Sequence, residues 1–119
     1  MLFGATPYAN AGAALVHFPR GVRTEWHTHP AGQNLIVTKG KIYTGTADGI
    51  LQIASAGDVV LCPPNLKHWH GAGVQEDGEH IAVTFEKDSK NVTWLEHLSE
   101  DEYKNLIKKA DELQKIDKL

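Results

Sequence analysis

Apolar and polar positions along the first four fifths of the chain alternate in short runs. Ala13 to Phe18 is apolar enough for a strand, and Pro19-Arg20-Gly21 ends it with a turn signal. Val22 to Thr28 alternates. Gln33 to Lys39, Lys41 to Ala47 and Ile50 to Ala54 are rich in β-branched residues, with Gly40 and Asp48-Gly49 between them. An Asp-Gly pair between two such runs predicts a hairpin. Val59 to Cys62 follows a turn at Ala56-Gly57-Asp58, and Pro63-Pro64-Asn65 breaks it. Leu66 to His70, His80 to Glu86 and Val92 to Leu95 complete the predicted strands, with an acidic loop at residues 75–79.

The pattern then changes period. Ser99 with Glu102 three residues later is a capping box, in which a hydroxyl and a carboxylate each satisfy an unpaired backbone amide. Tyr103, Leu106, Ile107, Ala110 and Leu113 recur at helical spacing, and Lys115 and Lys118 complement the helix dipole near the end. An amphipathic helix is predicted over residues 99–117. Many short strands, no βαβ alternation and one late helix predict an all-β fold, a small antiparallel barrel or sandwich. Residues 1–98 would form the barrel, with residues 99–119 packed on the same domain.

Length and charge narrow the function classes. At 119 residues the chain is one domain, and a net charge of −3 without a basic stretch argues against nucleic acid. No apolar run is long enough to span a membrane, and the N-terminal residues lack the pattern of a signal peptide. The single cysteine, Cys62, cannot form an intrachain disulfide and reads as a buried thiol, so a reducing, cytoplasmic setting is expected.

Seven histidines are the compositional anomaly, because most fall in two short stretches. Side chains on a strand alternate faces. An extended Val22 to His29 would put Arg23, Glu25, His27 and His29 on one face. The Pro30-Ala31-Gly32 turn would bring Gln33 beside the two histidines. His68 and His70 flank Trp69 and share a face. His80 lies opposite Ile81, Val83 and Phe85, which read as packing, and so points to the barrel interior. His17 reads as an exposed or satisfied imidazole and His97 as structural. Trp26, Trp69 and Trp94 read as core or wall, with Trp69 expected near the rim of a pocket.

Two spaced motifs carry a family resemblance. Gly21-x5-His27-x-His29-x3-Gln33-x6-Gly40 resembles the first cupin motif at every spaced position, with Gln33 where Glu is common. Gly57-x5-Pro63-x-Asn65-x2-His68 resembles the second, with Asn65 in place of a glycine and Ala72 in place of a closing asparagine. The implied fold is a cupin, a jelly-roll β-barrel, here with a C-terminal α-helix. WHTHPAGQNLIVTKG, PPNLKHWHGA, EHIAV and VTWLEHLSEDEY are similar to the small bacterial cupins that include the manganese-dependent hydroxynitrile lyases. Relatives of that group accompany or are fused to carboxymuconolactone decarboxylase-like proteins. The resemblance covers about residues 10–105. It implies His27, His29, Gln33 and His68 as metal ligands and His70 and His80 as pocket histidines.

Four neutral donors would leave a divalent ion its full charge, and so a strong Lewis acid. A mixed nitrogen and oxygen set suits manganese, with iron, cobalt, nickel or zinc as alternatives. His80 or His70 would move a proton. The expected partner is a small-molecule substrate, and the expected assembly a homodimer. Three functions fit the resemblance: a metal-dependent lyase of the hydroxynitrile lyase type, a metal-dependent oxygenase or other small-molecule enzyme, and a non-catalytic small-ligand-binding cupin.

Overall fold

The computed structural model describes residues 1–117, with side chains as far as Gln114. Lys115 and Lys118, read as charges complementing the helix end, fall outside those bounds. In chain order the elements are β1 (Ala11–Phe18), β2 (His27–Thr28), β3 (Gln33–Thr46), β4 (Leu51–Ser55), β5 (Val59–Cys62), β6 (His68–Ala72), β7 (Gly78–Phe85), β8 (Thr93–Trp94) and α1 (Glu100–Asp117). All ladders are antiparallel. One sheet has the order β1-β7-β3-β5. The other has the order β4-β3-β6-β2-β8. The long β3 belongs to both sheets and curls them into a jelly roll.

The strand expected to break at Gly40 does not break. A bulge between Val37 and Lys39 bends it, and Gly40 continues it at φ 62°. A β-carbon at Gly40 would collide with the Asp77 carbonyl, so glycine is required there. A bulge re-aims a strand without ending it, and here it carries β3 from one sheet to the next.

Two other expectations are corrected. Val22 to His29 is not one strand: only His27 and Thr28 join a ladder, with a single bridge from Arg23 to Gly71. Arg23 instead donates from Nε and Nη2 to the Leu98 carbonyl at 3.2 and 2.8 Å, and Glu25 meets His97 at 2.8 Å. Neither shares the histidines' face. Trp69 does not stand near a pocket rim. It is fully buried, with its ring centroid 5.2 Å from that of Tyr103 in an edge-on contact. Alternation explains this. If His68 and His70 point inward, Trp69 must point outward.

Helix α1 covers that outward face. Ser99 Oγ accepts the Glu102 amide at 3.2 Å and caps it. Tyr103, Ile107 and Ala110 pack with Tyr43, Trp69 and Leu98. Leu113, expected on the apolar stripe, is 42% exposed. A β-carbon at Gly45 would come within 2.5 Å of the Trp69 ring, so this packing leaves no spare volume. Trp69→Ala is therefore expected to cost about 3–5 kcal/mol in urea unfolding, with the metal content of the folded fraction unchanged. A change below about 1 kcal/mol would contradict this packing. The second core cluster, with Leu35, Val37, Ile42 and Ala72 buried, lies between the sheets. Above it sit the histidines.

Candidate metal centre

Register places the donors. His27 on β2 is directly opposite His68 on β6, so both project to one face. Gln33 on β3 is opposite Thr84 on β7, and Val37 opposite His80. His29 lies just beyond β2. The six residues His27, His29, Gln33, His68, His70 and His80 are all buried. The His27 ring centroid is 4.8 Å from that of His29, 4.4 Å from His68 and 5.1 Å from His70. His27, His68 and His70 offer nitrogens that all lie within 4.8 Å of one another, a group that can hold a metal ion.

The hydrogen bonds orient these side chains. Three rings are bonded through Nδ1 to backbone carbonyls: His27 to Glu25 at 2.8 Å, His29 to Asn91 at 2.7 Å and His68 to Leu66 at 2.9 Å. Carbonyls only accept, so each Nδ1 carries the proton and each Nε2 keeps a lone pair. Gln33 Nε2 donates to Thr84 Oγ1 at 2.9 Å, which aims Oε1 the other way. His29 Nε2, His68 Nε2 and Gln33 Oε1 are buried with no hydrogen-bond partner. A buried acceptor without a partner costs about 1–3 kcal/mol, and three in one place fit a bound cation. This is the outer support that metal-binding histidines characteristically have.

His70 and His80 are set apart from that pattern. His80 Nε2 lies 3.3 Å from His70 Nδ1, so one proton is shared between the rings, on either according to the tautomer. His80 Nδ1 is buried and unpartnered. Phe18 packs on both, at ring-centroid distances of 5.8 and 5.5 Å.

Around these groups is a cavity of about 330 Å³. His27, His29, Gln33, His70 and His80 line it, with Ala14, Val16, Phe18 and Ala82 on the apolar side. That size suits a small organic molecule.

Residues 14–84 match the Cupin domain family. The chain belongs to the cupin family. This cupin is 42% identical over 103 residues to an (R)-mandelonitrile lyase of Granulicella tundricola, covering 87% of this chain and 79% of that protein. A cupin-like protein from Thermotoga maritima is 40% identical with a TM-score of 0.77, over 82% of this chain and 73% of that one. A DMSP lyase from Ruegeria pomeroyi shares the fold at 16% identity, with a TM-score of 0.64 over 72% of this chain and 43% of that one.

The departures from the cupin motifs have local explanations. Asn65 adopts φ 62°, a left-handed conformation that asparagine tolerates better than other non-glycine residues. Its amide donates to the His29 carbonyl at 2.9 Å, tying the second motif to the first. Ala72 is buried, and its carbonyl accepts the Tyr103 hydroxyl. Thr84, Asn91 and Trp94 are site residues that the motifs do not contain. Thr84 was recoverable, since it shares its face with His80. Asn91 acts through its backbone and leaves no signal in its side chain. Trp94, not Trp69, is the tryptophan of the cavity wall, 60% exposed and 5.0 Å from the His27 ring.

Burial lowers the pKa of all five imidazoles, because a charged ring would lose its hydration. His27 falls to about 3 and His80 to about 4. His29 and His68 are lowered, and His70 well below the ordinary value. The rings are therefore neutral at pH 7, as ligation requires. In metal-free protein, the unfolded chain binds these protons from the ordinary value of 6.5 downward, while the folded chain does not. Stability is fully present above about pH 6.5 and lost as pH falls towards the folded values. The slope is about 1.4 kcal/mol per pH unit for each histidine. Urea midpoints of chelator-treated protein should fall between about pH 7 and pH 5, and a flat profile would count against a neutral buried cluster.

Proposed function

We propose that this cupin is a metal-dependent lyase of the hydroxynitrile lyase type. A divalent transition metal would be held by His27, His29, Gln33 and His68, manganese being the ion the family resemblance implies. The observation that carries the ligand set is the group of unpartnered buried acceptors, His29 Nε2, His68 Nε2 and Gln33 Oε1, beside a His27 ring fixed in the same way. His70 is placed outside the set because its Nδ1 faces His80 and not a backbone carbonyl. The 42% identity to a mandelonitrile lyase supports a cyanohydrin as substrate.

When bound, the metal supplies a Lewis acid that favours negative charge on a substrate oxygen. The His70–His80 pair does the proton work. Both rings are neutral, and the unpartnered nitrogen can take the hydroxyl proton of a cyanohydrin. As the carbon–carbon bond to the nitrile breaks, its electron pair leaves with cyanide and the alcohol carbon becomes an aldehyde. The same proton, passed to cyanide, leaves as hydrogen cyanide. Ala14, Val16, Phe18 and Ala82 give the substrate an apolar wall, and Trp94 offers an aromatic face.

The test is a parallel assay of protein loaded with manganese or iron, following aldehyde release and oxygen uptake together. Aldehyde from mandelonitrile without oxygen uptake is expected. Oxygen uptake coupled to turnover would replace the lyase by an oxygenase. The neutral amide has its own test. In Gln33→Glu the Thr84 hydroxyl can reverse and donate to the carboxylate, so metal should be retained. The added negative charge should lower turnover by about tenfold, or about 1.4 kcal/mol in barrier. Unchanged turnover would contradict the charge argument.

A further inference from the structure

The outer end of the cavity carries a charge that the proposed centre does not use. Glu86 is the single carboxylate residue lining the cavity, and no lysine or arginine lines it. Its position follows from alternation. His80, Ala82 and Thr84 on β7 and Glu86 just beyond it are spaced two residues apart, and all four line the cavity. Thr84 holds the Gln33 amide at 2.9 Å. Glu86 stands one strand repeat further out, about 7 Å along the chain. Its amide donates to the Asn10 carbonyl at 2.8 Å, which fixes the backbone there. The carboxylate has no countercharge. At the opposite end of β7, Asp77 meets His17 at 3.4 Å and Arg20 at 3.7 Å, and Glu79 meets His17 at 3.7 Å. Among the described residues, Glu86 forms no ion pair. It is partly buried, so dissolved ions screen it less than a surface charge.

We propose that Glu86 is a specificity-determining residue, which makes the cavity select neutral ligands over anionic ones of the same shape. This role rests on the metal placement given above and not on the reaction. A divalent ion held by neutral donors attracts any carboxylate. A 2-hydroxy acid with the skeleton of a cyanohydrin would therefore compete strongly for the cavity. Nothing else in the lining opposes it, since the imidazoles are neutral and the wall of Ala14, Val16, Phe18 and Ala82 is apolar. Glu86 supplies the missing repulsion. Two like charges about 10 Å apart in a partly screened site change an affinity by about two- to tenfold. A neutral nitrile, alcohol or aldehyde does not feel this term. The discrimination comes from a charge set against the wrong ligand, with no contact added for the right one.

Calorimetric titration of the manganese-loaded full chain with mandelate and with mandelamide tests the proposal. The two ligands share a phenyl ring, a hydroxyl group and nearly the same volume, and differ by one negative charge. Glu86→Gln removes the charge of the side chain and keeps its size. Mandelate is expected to bind the variant about two- to tenfold more tightly than wild type, with mandelamide affinity unchanged. The difference should shrink as salt is raised from about 0.02 M to about 0.5 M. Equal mandelate affinity in the two proteins would overturn the proposal. So would a parallel change for both ligands, which would make the effect one of shape. Binding of neither ligand to either loaded protein would overturn it as well. The predicted mandelate difference in protein that releases no cyanide from mandelonitrile would support the role of Glu86 while ending the lyase reading.

Discussion

His27→Ala and His68→Ala are each expected to strip the bound metal. The two residues face each other across β2 and β6, and each has its Nδ1 held by a backbone carbonyl. Loss of a supporting group around a metal typically costs about 10–100-fold in affinity, so loss of a donor should exceed about 100-fold. Elemental analysis after dialysis should show one metal ion per wild-type chain and a background level in the variants. The fold should survive, because the imidazoles contribute neither to the core between the sheets nor to the one under α1. Wild-type metal content in either variant would remove that residue from the ligand set, both from the proposed one and from the alternative group of His27, His68 and His70.

His80→Ala is expected to keep the metal and lose the reaction. Its ring makes no bond to any proposed ligand and shares a proton only with His70. Removing a positioned proton-transfer group typically costs about 10²–10⁴-fold in rate, and a loss in that range is predicted for kcat, with the metal content of wild type. A loss of metal in this variant would mean that the pair supports the site structurally. Full activity would move the proton work to another group. His70→Ala is less informative, because His70 lies within reach of the ligand group itself.

The sequence was most legible where spacing constrains geometry. His27, His29, Gln33, His68, His70 and His80 were all predicted from two motifs and strand alternation, and the fold brings all six together in one buried group. The capping box at Ser99 and the helix were legible because capping is local. Ile81, Val83 and Phe85 read as packing on the face opposite His80, and they do lie on that outer face, half buried. What was not legible depended on tertiary choices. Gly40 reads as a break, but the bulge before it bends β3 between sheets. The exchange of Trp69 for Trp94 has the same origin. Trp69 was expected near the rim of the pocket, whereas alternation places it under α1 and leaves the wall to a two-residue strand late in the chain.

The most direct test of the central claim is a titration of metal-stripped protein with manganese, followed by cyanide release from mandelonitrile. Activity should rise from background to a plateau at one manganese ion per chain, with benzaldehyde and cyanide formed in equal amounts. No cyanide release from fully metallated protein would contradict the assignment of this cupin as a hydroxynitrile lyase.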